Sequence, residues 1–96
     1  MAEETGTWTV RWTLHALTSL AERRIPRVTA DAALQEPERI EVGRGTREVW
    51  MKRYQDDGLG RPMLLRIVVE RIGQDIVVIT AYKTSRIDKY LPEPCP

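Results

Sequence analysis

Ninety-six residues make one domain rather than two, and 42% apolar with 30% charged residues is ordinary globular composition, so no long disordered stretch is expected within it. Fifteen basic against fourteen acidic residues leave a net charge of +1, short of the basic excess of a dedicated nucleic-acid binder, although a local basic patch is compatible with that sum. The single cysteine, Cys95, excludes an internal disulfide and a cysteine-rich zinc site, and no apolar run reaches the ~20 residues that span a bilayer.

The start, Met1-Ala2-Glu3-Glu4, is acidic and lacks the apolar core of a signal peptide. The expectation is a cytoplasmic protein, held together by packing alone, with Cys95 a loose thiol in a tail over residues 91–96. The first element is a strand over residues 8–14. Trp8, Val10, Trp12 and Leu14 alternate with Thr9, Arg11 and Thr13 at period two. The period then changes to three and four. Leu14, Leu17, Leu20, Ala21 and Ile25 predict one apolar stripe on a helix over residues 15–24.

Pro26 breaks that pattern and opens a second helix as its first residue. Ala30, Ala33 and Leu34 form its narrow apolar stripe, and Glu36-Pro37 ends it, because the residue before a proline is pushed from helical angles. Sheet follows. Residues 39–42 read as a short strand, Gly43-Arg44-Gly45 as a turn, and residues 47–54 as a strand with Val49 and Met51 on one face and Trp50 and Tyr54 on the other. Residues 56–62 have the glycine, aspartate and proline content of a loop.

Residues 63–72 and 76–82 are apolar at nearly every position, as in strands covered on both faces, with Gly73-Gln74-Asp75 as a tight hairpin between them. Residues 86–91 form either a last helical turn or an extended tail. The order β-α-α-β-β-β-β predicts an α+β fold in which two N-terminal helices pack on a curled, mostly antiparallel sheet of four to five strands.

Three segments carry a resemblance. They are His15-Ala16-Leu17 running to Glu22-Arg23-Arg24-Ile25, then Ala33-Leu34-Gln35-Glu36-Pro37-Glu38, then Leu65-Arg66-Ile67-Val68-Val69 with Val77-Val78-Ile79-Thr80-Ala81-Tyr82-Lys83-Thr84-Ser85-Arg86. Together, over about residues 8–90, they resemble domain-of-unknown-function family 4258. That family is similar to the RelE-like toxins and, more widely, to the barnase–EndoU–colicin–RelE group of metal-independent ribonucleases. The resemblance implies a RelE-like domain that cuts RNA without metal or cofactor, with RNA and a cognate antitoxin protein as its partners. Residue by residue, His15 matches the family's histidine at the first helix, Arg23 its arginine before the second, and Thr80, Tyr82, Lys83, Thr84 and Ser85 its final strand. The near-neutral charge departs from the basic character of many RelE toxins.

Metal-free RNA cleavage needs a base for the 2′-hydroxyl, cations or donors for the charged transition state, and an acid for the leaving 5′-oxygen. His15, the single histidine, suits either proton role, or else fills the surface at a helix start. Arg66, amid apolar residues, is either a phosphate clamp or one half of an ion pair with Glu48, Glu70 or Asp75. Lys83 and Arg86 with Thr84 and Ser85 make the best basic, hydroxyl-rich patch, or else a solvated strand end. Arg23 and Arg24 suit the negative end of a helix. Trp8 and Trp12 read as core, Tyr82 and Tyr90 as stacking or proton-transfer candidates, and Asp56-Asp57 as a plain turn.

The expected catalytic set is therefore His15, Arg66, Thr80, Lys83 and Ser85, lining a cleft on the open sheet face. Arg23, Tyr82, Thr84 and Arg86 are expected to hold RNA. The alternative is a non-catalytic module of the same fold that binds a protein or RNA. The sequence leaves the oligomeric state open.

Overall fold

The computed structural model describes residues 9–91; Trp8 and the tail cysteine, Cys95, lie outside them. Strand β1 is Thr9–Trp12, and helices α1 and α2 are Leu14–Glu22 and Arg27–Gln35. Four more strands follow, β2 at Arg39–Val42, β3 at Arg47–Asp56, β4 at Arg61–Ile72 and β5 at Asp75–Thr84, before a single helical turn, α3, at Ile87–Tyr90. The fold is α+β, with one five-stranded mixed sheet in the order β1-β5-β4-β3-β2. Every pairing is antiparallel except β1 with β5, which is parallel.

Thr13 sets the start of α1 from both sides. Its hydroxyl oxygen accepts from the Ala16 N–H, as a helix N-cap does, and its hydroxyl donates to the Val78 carbonyl at 2.8 Å. The helix is thereby tied to β5 at its first turn. Its buried face is Ala16, Ser19 and Leu20; of the expected stripe Leu20 and Ile25 are buried, whereas Leu14 is 80% exposed, Leu17 39%, and Ala21 is exposed as well. Ser19 takes an inward position because its hydroxyl meets that of Thr80 at 3.1 Å.

The helix closes on a non-glycine residue. Arg24 has φ +55°, while its N–H reaches the Ala21 carbonyl and the Ile25 N–H that of Leu20. This is a Schellman closure, whose left-handed position usually holds glycine. Pro26 serves as the N-cap of α2 rather than its first residue, and its carbonyl accepts from Thr29 and Ala30.

Helices α1 and α2 cover one sheet face, α1 over β5 and α2 over β3 and β4. The core lies between, where Ala16, Leu20, Ile25, Ala30, Ala33 and Leu34 meet Trp50, Leu65, Ile67, Val69, Ile76, Val78 and Ala81. Trp12 packs against its margin, with the Arg27 guanidinium 4.4 Å from its ring.

Strands β3 and β4 run further into the expected loop than composition suggests, leaving only residues 57–60 as a turn. Asp56 anchors that turn, since its carboxylate accepts the Leu59 N–H and its carbonyl the Gly60 N–H. Between β4 and β5, Gly73 at φ +61° makes a tight turn. In β5 one residue, Ile79, is extra: Val69 pairs with Val78 and Val68 with Thr80. No described helix is long and apolar enough to cross a membrane.

Candidate active site

Alternation along the strands decides which side chains meet. Trp50 and Ile67 pair, and both face the helices. Their neighbours therefore face the other way, and Arg39, Met51, Arg66 and Tyr82 form one row across four strands on the face that α1 and α2 leave open, where Met51 is nonetheless fully buried. Glu41 lies on the same face, two residues along β2 from Arg39.

Arg66 is the centre of that face. Its side chain is 7% exposed, a costly place for a charge without compensation. The compensation is partial. One terminal nitrogen donates to the Glu41 carboxylate at 3.2 Å, while Nε and Nη1 are buried with no hydrogen-bond partner among the described residues. Two aromatic rings supply the rest of the surroundings. The guanidinium carbon lies 3.7 Å from the centre of the Tyr90 ring, on α3, and 5.6 Å from that of Tyr82. Arg39 holds α3 in place by donating to the Tyr90 carbonyl at 3.1 Å.

The expected partners of Arg66 are engaged elsewhere. Glu48 accepts from Arg71 and from the Trp50 indole, Glu70 accepts from Thr46, and Asp75 pairs with Arg11. Glu41 was not among the residues singled out by the sequence. The signal available is the alternation Arg39-Ile40-Glu41, which puts two opposite charges on one face of a short strand.

Where β4 begins and β5 ends, the sheet carries a shallow basic hollow of about 580 Å³, formed by Arg61, Ser85, Arg86 and Lys89 together with Pro62, Ile87 and Asp88. Among the described residues no ion pair engages Arg61, Arg86 or Lys89, and the Lys89 ammonium lies 5.4 Å from the centre of the Tyr90 ring. Ser85 is exposed, whereas the Thr84 hydroxyl is occupied in accepting the Arg86 N–H.

The structure does not bring the expected catalytic set together. Leu65 pairs with Lys83 and Arg66 with Tyr82, so Lys83 and Arg66 project from opposite faces. Lys83 stands on the helix side in an ion pair with Asp56 at 2.7 Å, and Thr80 is bound to Ser19 of α1. His15 is exposed in the first turn of α1. Arg24, which lines the same cleft as Lys83, follows the end of α1 at Glu22, so roughly 10 Å of helix axis separates His15 from that end of the helix. Arg23, the C-cap of α1, is exposed on the helix side too. Of the residues expected to work together, Arg66 and Tyr82 share the open face, and Ser85 and Arg86 lie in the hollow at the sheet end.

The helix side has a polar cluster of its own, in a cleft of about 330 Å³ lined by Arg24, Val28, Tyr54, Asp56, Leu59 and Lys83 among others. Asp56 is not a plain turn residue. The hydrogen bond from Lys83, then the Leu59 N–H and the Tyr54 hydroxyl, hold its carboxyl below the usual range. Burial and the adjacent Asp56 push the Tyr54 phenol up. Donors and acceptors are matched within this cluster, which marks it as a structural network. Among the described residues there is no group of three or more His, Cys, Asp or Glu suited to a metal ion. Comparison with protein-family models, with curated proteins and with solved structures finds no match to this chain.

Proposed function

We propose that this chain is a metal-independent ribonuclease of the RelE-like toxin type, with its site on the open sheet face around Arg66. One observation carries the reading: a buried guanidinium whose Nε and Nη1 have no hydrogen-bond partner among the described residues, beside a carboxylate and close to two tyrosine rings. An unmatched buried donor costs free energy that a structural role alone does not require. A phosphodiester supplies the missing acceptors, and a guanidinium fork suits its oxygens.

In this reading Glu41 takes the proton of the 2′-hydroxyl, and the 2′-oxygen attacks phosphorus. Arg66 stabilises the charge that gathers on the phosphoryl oxygens. The bond from phosphorus to the 5′-oxygen breaks, Tyr82 gives that oxygen its proton, and a 2′,3′-cyclic phosphate remains. Water returns the proton from Glu41 to Tyr82. Tyr90 lies over the guanidinium, so phosphate reaches Nε and Nη1 when the single turn of α3, which has no buried residue, lifts its ring. The flanking strand of RNA lies along Arg61, Arg86 and Lys89. In a toxin, an acidic segment of the antitoxin would cover the same hollow.

The test is cleavage of total cellular RNA by the purified chain in EDTA, beside Glu41→Gln and Arg66→Lys, with folding checked by circular dichroism. Cutting to 2′,3′-cyclic ends that both substitutions suppress supports the reading. A wild-type protein that cuts neither free RNA nor message on translating ribosomes sinks it, and leaves a non-catalytic binding module.

A further inference from the structure

Strand β2 is an edge of the sheet, with no strand beyond it among the described residues. Its four residues, Arg39, Ile40, Glu41 and Val42, make a short strand with two charges, which blunts the edge against arbitrary pairing and restricts it to a strand of matching charge pattern. Ile40 is 42% exposed and Val42 84%. The ladder with β3 fixes which backbone groups look outward. The Gly43 N–H donates to Arg47, the residue directly opposite in the same register, so Gly43 and Arg47 form a hydrogen-bonded pair. Pairs alternate in an antiparallel ladder, so Glu41 and Arg39 also bond inward, and the N–H and C=O groups of Ile40 and Val42 point to the free side.

That edge is complementary to itself. A second β2 laid antiparallel about a two-fold axis at Ile40 sets Ile40 opposite Ile40 of the second copy, where both have outward hydrogen-bonding groups. Arg39 then falls opposite Glu41 of the second copy, and Glu41 opposite its Arg39. These are non-hydrogen-bonded pairs, in which side chains approach closest, and each matches opposite charges, so that the half-exposed Arg39–Glu41 pair within each chain, at 3.6 Å, is joined by its counterpart across the axis. Centring the pair one residue along breaks that match. We infer that the chain dimerises through β2 in this register, continuing the sheet into a second copy with Arg39 of each copy beside the Glu41 of the other. A four-residue strand is short of the roughly 1,200 Å² of a stable interface, so the association is weak and rises with concentration.

Sedimentation velocity on the full chain, from about 10 μM to about 1 mM, tests it. Wild type should move from monomer to dimer across that range. Arg39→Glu sets two acidic pairs across the axis and Glu41→Arg two basic ones, so each variant alone should stay monomeric at every concentration. An equimolar mixture of the two restores both opposite-charge pairs and should form a mixed dimer. Ile40→Lys, at a half-exposed position, should abolish association and leave the circular dichroism spectrum unchanged. A wild type that stays monomeric throughout, a folded Ile40→Lys that dimerises as wild type does, or folded charge variants that fail to associate on mixing overturns the proposal. None of these outcomes depends on RNA cleavage.

Discussion

Asp56 and Lys83 are twenty-seven residues apart in the chain and 2.7 Å apart in the fold, with side chains only 7% and 15% exposed. The pair ties the β3–β4 turn to the last turn-facing residues of β5, and the Tyr54 hydroxyl donates to the same carboxylate. Breaking a buried pair by removing one partner leaves an uncompensated charge. Lys83→Met and Asp56→Asn are each expected to lower the thermal midpoint by several degrees. The double variant should lose less than the sum, because the coupled term is then removed only once. Calorimetry of the four proteins decides this, and additive losses would refute the coupling.

The same pair gives the fold an acid dependence of known sign. The hydrogen bond from Lys83 holds the Asp56 carboxyl below its unfolded value. A depressed carboxyl contributes stability that is complete above the unfolded value, about 3.9, and is lost as pH falls through the folded one. Denaturant midpoints taken from pH 6 downward should therefore fall less steeply for Asp56→Asn than for wild type.

On the open face the proposed chemistry sets an order of sensitivities. Glu41→Gln should reduce RNA cleavage by about 10²–10⁴-fold, as for loss of a general base. Arg66→Lys keeps the charge and loses the planar fork, and about 10²-fold or more should follow. His15→Ala should leave the rate as it is, because His15 lies on α1, across the sheet from Arg66. Initial rates on one RNA, with wild-type folding confirmed for each variant, make the comparison. Loss of cleavage in folded His15→Ala would move the site to the helix side.

Arg61, Arg86 and Lys89 should show themselves through salt. Each single-strand phosphate contact contributes about 0.7 to the slope of log affinity against log salt. Replacing Arg86 by alanine should reduce that slope by about this amount and weaken binding for all sequences alike. Fluorescence anisotropy with a labelled oligonucleotide at several salt concentrations measures it, and an unchanged slope would remove Arg86 from the RNA path.

Arg24 holds a left-handed backbone at the close of α1. That conformation costs a non-glycine residue about 1–2 kcal/mol. Arg24→Gly is expected to stabilise the protein by about 1 kcal/mol, less than the full strain because glycine loses more chain entropy on folding. Urea unfolding of the two proteins gives the sign directly.

Much of this fold is legible in the sequence, because its strongest signals are local. The apolar runs of β4 and β5, the proline between the helices and the glycine in the last hairpin each act over a few residues. The face of α1 is not legible from hydrophobicity alone. Leu14 and Leu17 are more apolar than Ser19, but Thr13 fixes the helix phase by a bond to β5, and Ser19 turns inward to Thr80. The site is harder still. Runs that are apolar at every position have no alternation to show which side a residue faces, so Arg66 and Lys83 look like neighbours on one surface. Register, shifted by the extra residue Ile79 in the β4–β5 hairpin, sends them to opposite sides. Asp56 looks like a turn residue because its partner lies in a different strand.

The parallel pairing of β1 with β5 joins Thr9 to Asp75 and Trp12 to Val78. During synthesis the first strand and the two helices therefore emerge long before the surface they rest on. With α1 and β1 both seated on β5, the core can close only after β5 has left the ribosome. Folding that depends on such distant contacts is slow relative to local helix formation. A nascent chain of this protein should resist neither protease nor mechanical pull until its final strand has left the exit tunnel, and it should then lock in one step.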